Sequence, residues 1–539
     1  MPRDRSLIVA LLVVAALVVG AVWPTPDDGS RSGVGSDRPE STEIAWEACT
    51  VTDEDDPDIR ASMEAVFADY QCAIVVVPVD YDDPTRGTLE LFVQMRPAPA
   101  ADPIGPLFVN QGGPGASAAA YTATFATYAE LDRFDIVGMD PRGTGRSTHL
   151  DCGDTPLPSS EPQPPGDDPG TLTAFEEEVV AFAEACASDP NLDAFGSNSA
   201  ARDMDRLREL MGAEQITYHG KSYGSDLGTA YASSFPERLR AGVFDGVSDL
   251  TLDPVDFVAQ QTNAGQALVD GYLQRCAEAA ATADPCAWTQ GQEPDAAWAA
   301  LLDRLEDEPV VDADTGDELT AGGLREWAND FVGAPDEMRT AALDALVLDG
   351  EIEDLVVEDL AESDPDLATA FVAITCLDLP IDDYRDAFAR LDAQVGDIPP
   401  DPLFTLAACA HWPAADPITV TEADGAGPIL VVGTTGDVPT PYASAESLAD
   451  HLATATLLTW EAESHTAFLA SVCVLDEVLT FLVDLTLPAA GTVCRDPNRF
   501  LDPGAVEGLA ADDLDADNLD ELDPGDLGFE DPDLDLIPS

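Results

Sequence analysis

Short apolar runs and stretches of helical periodicity take turns along much of the chain. Residues 72–81 are apolar with a polar exit at Asp80 and Tyr81, and predict a strand. Residues 87–96 alternate, with Leu89, Leu91, Val93 and Met95 on one face, as its hairpin partner would. Residues 106–109 are wholly apolar, the pattern of a strand at a sheet centre. Further strands are predicted at 134–140, 215–218, 240–246, 428–433 and 455–460. Helices are predicted at 172–186, 198–210, 225–235, 443–452 and 471–485. Strands alternating with helices predict an α/β fold on a doubly wound, mostly parallel sheet. The alternation stops near residue 250 and resumes near 426. The intervening text, rich in Ala, Leu, Asp and Glu, predicts an inserted helical lid over the C-terminal edge of the strands.

The ends of the chain read differently. Arg3 and Arg5 precede seventeen apolar residues from Leu7 to Trp23. Basic residues before an apolar segment mark an export signal. The length is near the lower limit for a membrane span, so cleavage near Gly20-Ala21 and retention as a membrane tether through residues 7–23 both stay open. No cysteine follows the run, which speaks against a lipoprotein. The predicted organisation is a signal peptide or anchor at 1–23, a flexible spacer at 24–43, a first core part at 44–249, the lid at 250–425, a second core part at 426–500 and an acidic disordered tail at 501–539. In the tail, Asp513-x-Asp515-x-Asp517 begins like a calcium loop, but Asn518 replaces its glycine and Pro524 its bidentate glutamate.

Charge narrows the partners. The chain has 104 acidic residues against 24 basic ones, a net charge of −80, and Lys221 is its only lysine. Such a surface repels nucleic acid and anionic lipid. A hydrophobic content of 45% excludes disorder for most of the chain and suggests a folded protein of salt-rich surroundings. Ten cysteines in an exported chain predict disulfides, and they fall into neighbouring couples: Cys49 with Cys72, Cys152 with Cys186, Cys276 with Cys286, Cys376 with Cys409 and Cys473 with Cys494. There is no CxxC and no zinc spacing, so no metal or other cofactor is expected. The sequence is silent on oligomeric state.

The chemistry centres on Gly220-Lys221-Ser222-Tyr223-Gly224, which fits G-x-S-x-G, a nucleophile elbow. A strand must turn sharply into a helix there, and the glycines keep Cβ atoms out of the turn. The same text resembles the end of a phosphate loop, but Gln215 stands where that loop needs glycine. A serine nucleophile needs a base and an orienting acid. Asp437 and His465 follow Ser222 in the required order, each in a loop after an apolar strand. Of the other histidines, His219 lies inside the elbow strand, His451 falls mid-helix, and His149 and His411 lie outside strand exits of the closing half. The glycine-rich turn Asn110-Gln111-Gly112-Gly113-Pro114-Gly115 follows a core strand. Its Gly113 amide, with that of Tyr223, would form an oxyanion hole.

These residues carry a family resemblance. Val77-Pro78-Val79-Asp80-Tyr81, the turn 110–115, Asp140-Pro141-Arg142-Gly143-Thr144-Gly145-Arg146-Ser147, the elbow, Phe235-Pro236, Asp245-Gly246, Gly436-Asp437 and His465-Thr466 form the matching set. From about Ala45 to Pro497 the chain resembles the secreted tripeptidyl aminopeptidase branch of the proline iminopeptidase-type serine peptidases, within the α/β-hydrolases. Two departures are Gln111, where relatives usually carry His or Pro, and Glu463, where they often carry glycine. The Cys473–Cys494 pairing also resembles a family bridge. The resemblance implies peptide substrates, with short peptides or single residues released from a free N-terminus by Ser-His-Asp chemistry. Such an exopeptidase needs an acid for the substrate ammonium, and Asp378 and Glu326 in the lid are the candidates. The competing reading is a carboxylesterase or lipase on the same fold. A binding protein built on an inactive fold is disfavoured by the complete serine, acid and base set.

Overall fold

The computed structural model describes residues 38–50, 67–158, 162–166, 171–279, 286–311, 318–330, 334–352, 355, 364–396 and 398–498. The predicted export segment, most of the predicted spacer and the predicted acidic tail lie outside the described residues.

In the first half of the chain run β1 (Glu47–Ala48), β2 (Gln71–Pro78), β3 (Thr88–Arg96), β4 (Gly105–Asn110), α1 (Ala118–Ala126), β5 (Phe134–Met139), α2 (Ala174–Cys186), α3 (Ser197–Leu210), β6 (Ile216–Lys221), α4 (Tyr223–Ser234) and β7 (Leu239–Asp245). A helical segment follows: α5 (Pro254–Ala279), α6 (Pro294–Asp307), the hairpin β8 (Val310–Val311) with β9 (Glu318–Leu319), α7 (Ala321–Asp330), α8 (Asp336–Asp344), α9 (Pro365–Asp378), α10 (Tyr384–Asp392) and α11 (Pro400–His411). The alternation then resumes with β10 (Ile429–Thr434), α12 (Tyr442–His451), β11 (Ala455–Trp460), α13 (Val472–Asp484) and β12 (Val493–Cys494).

Ten strands form one sheet in the order β1-β2-β3-β5-β4-β6-β7-β10-β11-β12. Pairing is antiparallel from β1 to β3 and between β3 and β5, and parallel from β5 through to β12. This is the mostly parallel sheet that the apolar runs predict. The sheet is covered on both faces, which is why its central strands carry no polar alternation. On one face Met204 of α3, Leu227 and Tyr231 of α4 and Leu448 of α12 are buried. On the other lie Tyr121 and Phe125 of α1 with Val478 and Phe481 of α13.

The helical segment packs as two groups. Val372, Leu391 and Leu406 join α9, α10 and α11 to Phe182 of α2. Leu273, Leu305, Leu324 and Leu343 join α5, α6, α7 and α8. Neither its small hairpin nor the edge strands β1 and β12 are legible as patterns, because two residues carry no period. All five neighbouring cysteine couples are bonded.

Arg142 works as an internal tie. Its side chain and that of Asp203 are fully buried and 2.7 Å apart, and it also donates to the carbonyls of Val79 and Ala194 at 2.8 Å. It thereby joins the exit of β2, the loop after β5 and helix α3. Burying a guanidinium is tolerable only because nearly all its donors find acceptors.

Candidate active site

The site is assembled at the C-terminal ends of β4, β6, β7, β10 and β11, where a parallel sheet presents its loops side by side. At the junction of β6 and α4, Ser222 has φ 54° and ψ −131°. A non-glycine residue holds such a backbone only when its surroundings impose it. Here they do. Ser222 N donates to Asp245 O at 2.8 Å, and Ser225 N and Oγ both donate to Ser222 O, at 2.7 and 2.6 Å. A Cβ on Gly220 would fall 2.1 Å from Gly224 O, so the spacing of the two glycines in the motif is a steric requirement.

Asp437 and His465 lie on adjacent strand exits. Asp437 is fully buried, and its Oδ1 and Oδ2 lie 2.9 and 3.2 Å from His465 Nδ1. The carboxylate also accepts Thr440 N at 2.9 Å and Thr466 N at 3.0 Å. This fixes the ring and leaves Nε2 as the nitrogen for proton transfer. The His465 side chain is 25% exposed, so it meets both core and cleft. Among the described residues no hydrogen bond joins Ser222 Oγ to His465. In sites of this kind that contact often tightens only with substrate bound.

The amides expected to hold an oxyanion sit beside the elbow. Gly112 N donates to Asn110 Oδ1 at 2.8 Å, which orders the turn. Among the described residues the amides of Gly113 and Tyr223 carry no hydrogen bond. They are open donors at strand and helix ends, the form an oxyanion hole requires. Lys221 is half-buried beside the elbow. Loss of water pulls its pKa down, and the neighbouring Asp245 and Asp437 oppose that.

The two candidate ammonium partners fare differently. Asp378 ends α9 and is buried; Ser197 N reaches its Oδ1 at 3.2 Å and Ser197 Oγ its Oδ2 at 2.5 Å. Ser197 Oγ also lies 2.6 Å from the Tyr223 hydroxyl. Burial raises the Asp378 pKa to about 8, and the Ser197 bonds only partly oppose it. Glu326 is half-buried on α7.

Comparisons with known proteins agree with this geometry. The family model described as "alpha/beta hydrolase fold" matches residues 105–290, and the one described as "TAP-like protein" matches residues 402–494. Carboxylesterase B of Mycobacterium tuberculosis is 32% identical, over 91% of this chain and 96% of its own. The chain belongs to the α/β-hydrolases. Serine protease Hip1 of Mycobacterium tuberculosis is 29% identical over 90% of this chain and 96% of its own. Tripeptidyl aminopeptidase of Streptomyces lividans is 26% identical over 79% of this chain and 83% of its own.

This α/β-hydrolase is therefore an enzyme, a serine hydrolase with serine peptidases among its relatives. Its structure adds residues that no motif names. Thr440 Oγ1 lies 3.3 Å from His465 Nδ1 and backs the ring from the acid's own loop. Glu463, two residues before the base, is held by Arg275 at 2.8 Å and Arg339 at 3.3 Å, and both arginines also bind Asp336. That cluster gives the glutamate at this position two cationic partners. His219, fully buried, packs 4.9 Å from Phe125 and 4.6 Å from Phe468, and burial pulls its pKa to about 3. It is a neutral core residue.

Proposed function

We propose that the protein is an exported serine exopeptidase that releases tripeptides, similar short peptides or single residues from free N-termini. Ser222 would attack the scissile carbonyl, His465 would take its proton and pass it to the leaving amine, and Asp437 would hold the imidazole tautomer. Amides of Gly113 and Tyr223 would bind the oxyanion. The observation that carries this reading is the pairing of buried Asp437 with His465 beside a serine held at φ 54°. The helical segment supports action on chain ends, as a lid. A Cβ on Gly115 would lie 2.8 Å from Leu367 O, so α9 sits directly on the oxyanion turn. Arg275 and Arg339 bring α5 and α8 onto the base loop. Asp378 is the better of the two ammonium candidates, since it lies two hydrogen bonds from the Tyr223 ring. An arriving ammonium would release the proton that burial retains. Export is supported by five disulfides.

The relative named a carboxylesterase supports a second reading, hydrolysis of small esters. The test is turnover of a tripeptide anilide in high salt, with free and with acylated N-terminus, beside a small ester and with Ser222→Ala as control. Turnover of the free form alone supports the exopeptidase. Equal turnover of both anilides, or turnover of the ester alone, rejects it.

A further inference from the structure

Asp245 closes β7, pairs with Lys221 in the parallel register and is fully buried. Three of its oxygens are engaged with segments that carry the reacting groups. Its main-chain oxygen accepts Ser222 N at 2.8 Å. Its carboxylate accepts Ala467 N at 3.0 and 3.1 Å and Phe468 N at 2.8 Å. Thr466 N goes to Asp437 at 3.0 Å. The three consecutive amides after His465 thus end on two buried carboxylates, one from β7 and one from the exit of β10. Thr466, at φ 66°, bends the chain so that the amides converge, as in an anion-binding nest. Among the described residues no arginine pairs with Asp245, and Lys221 across the register is the cation beside it. The next residue, Gly246, has φ 67°, and a Cβ there would lie 2.7 Å from Thr466 Cγ2 and 2.8 Å from Thr440 Oγ1. Acid loop and base loop therefore close directly over this strand end.

We propose that Asp245 is a positioning residue of the enzyme: its main chain anchors the nucleophile and its carboxylate anchors the backbone that carries the base. The proposal rests on the reading of Ser222 and His465 as the reacting pair. A neutral hydrogen-bonding residue could fill the same volume. A carboxylate makes roughly twice the bond to an amide, which suits a loop that must not drift. Displacing the ring by an ångström costs on the order of 100-fold in rate.

The test follows the rate at which an alkyl fluorophosphonate labels the enzyme, together with kcat and KM on whichever anilide or ester is turned over. Ser222→Ala and His465→Ala come first. Labelling that survives in both refutes the site itself and with it this proposal. With those controls inactive, Asp245→Ala is expected to lower labelling and kcat by about 100-fold and Asp245→Asn, which keeps one acceptor, by about tenfold, at unchanged KM. Melting temperatures are measured alongside. Wild-type labelling by a folded Asp245→Asn, or a loss confined to KM, overturns the proposal. Should Asp245→Ala not fold, Asp245→Asn decides alone.

Discussion

The roles proposed for Ser222, Asp437 and His465 match three different environments. Ser222 is strained and half-buried, Asp437 is dry and bound by three N–H donors, and His465 is open to the cleft on one side. Asp437→Asn keeps the shape but offers Nδ1 the wrong partner. It is expected to lower kcat by about 10⁴-fold with the fold intact, measured by steady-state kinetics and circular dichroism. Asp378 gives a pH prediction. Burial holds it at about 8 in the folded chain, against 3.8 ordinarily. Between those values the folded chain keeps a proton that the unfolded chain has lost. Its contribution to stability therefore falls as pH rises from about 4 to about 8 and is level outside that window. Asp226, raised to about 7 by burial, acts in the same direction. In Asp378→Asn the decline of Tm between pH 4 and 8 should be shallower than in the wild type. An equal decline in both proteins would refute the assignment. If Asp378 meets the substrate ammonium, the same variant raises KM for free peptides and leaves ester turnover alone.

Strands that stand between buried layers were legible because burial on both faces leaves nearly uninterrupted apolar text, as in β4 and β10. Helix ends differ from the expected ones by a residue or two where a cap sets them; Thr173, bonded to Glu176 N, starts α2 at Ala174. The strained turn at Ser222 was legible from local sterics, and the pairing of Asp437 with His465 from their order along strand exits. What could not be read were partners brought together from afar. Asp245 meets Ala467 across 222 positions and Arg275 meets Glu463 across 188, and no local period records either contact. Arg142, in the loop after β5, likewise finds Asp203 on α3, 61 positions away. Asp203→Asn removes the charge and leaves the guanidinium buried without its counter-ion. The expected loss is about 3–5 kcal/mol, read from urea unfolding. A loss below 1 kcal/mol would mean that the carbonyls of Pro78, Val79 and Ala194 suffice.

With a net charge of −80, the folded chain compresses like charges that the unfolded chain spreads apart. Salt screens that repulsion, so Tm is expected to rise steadily from low to molar KCl, measured by calorimetry. The arginine cluster on the base loop answers in the opposite sense. Arg275 and Glu463 are 40% and 35% exposed, and attraction between such groups weakens as ions are added. The force that holds the shell together and the force that holds His465's loop to α5 and α8 thus draw on one reservoir of ions and respond to it with opposite sign. Turnover should pass through a maximum at a salt concentration where Tm is still climbing, and Glu463→Gln should flatten the descending limb. The salinity at which turnover peaks would then be set by two arginines that face Glu463 and Asp336.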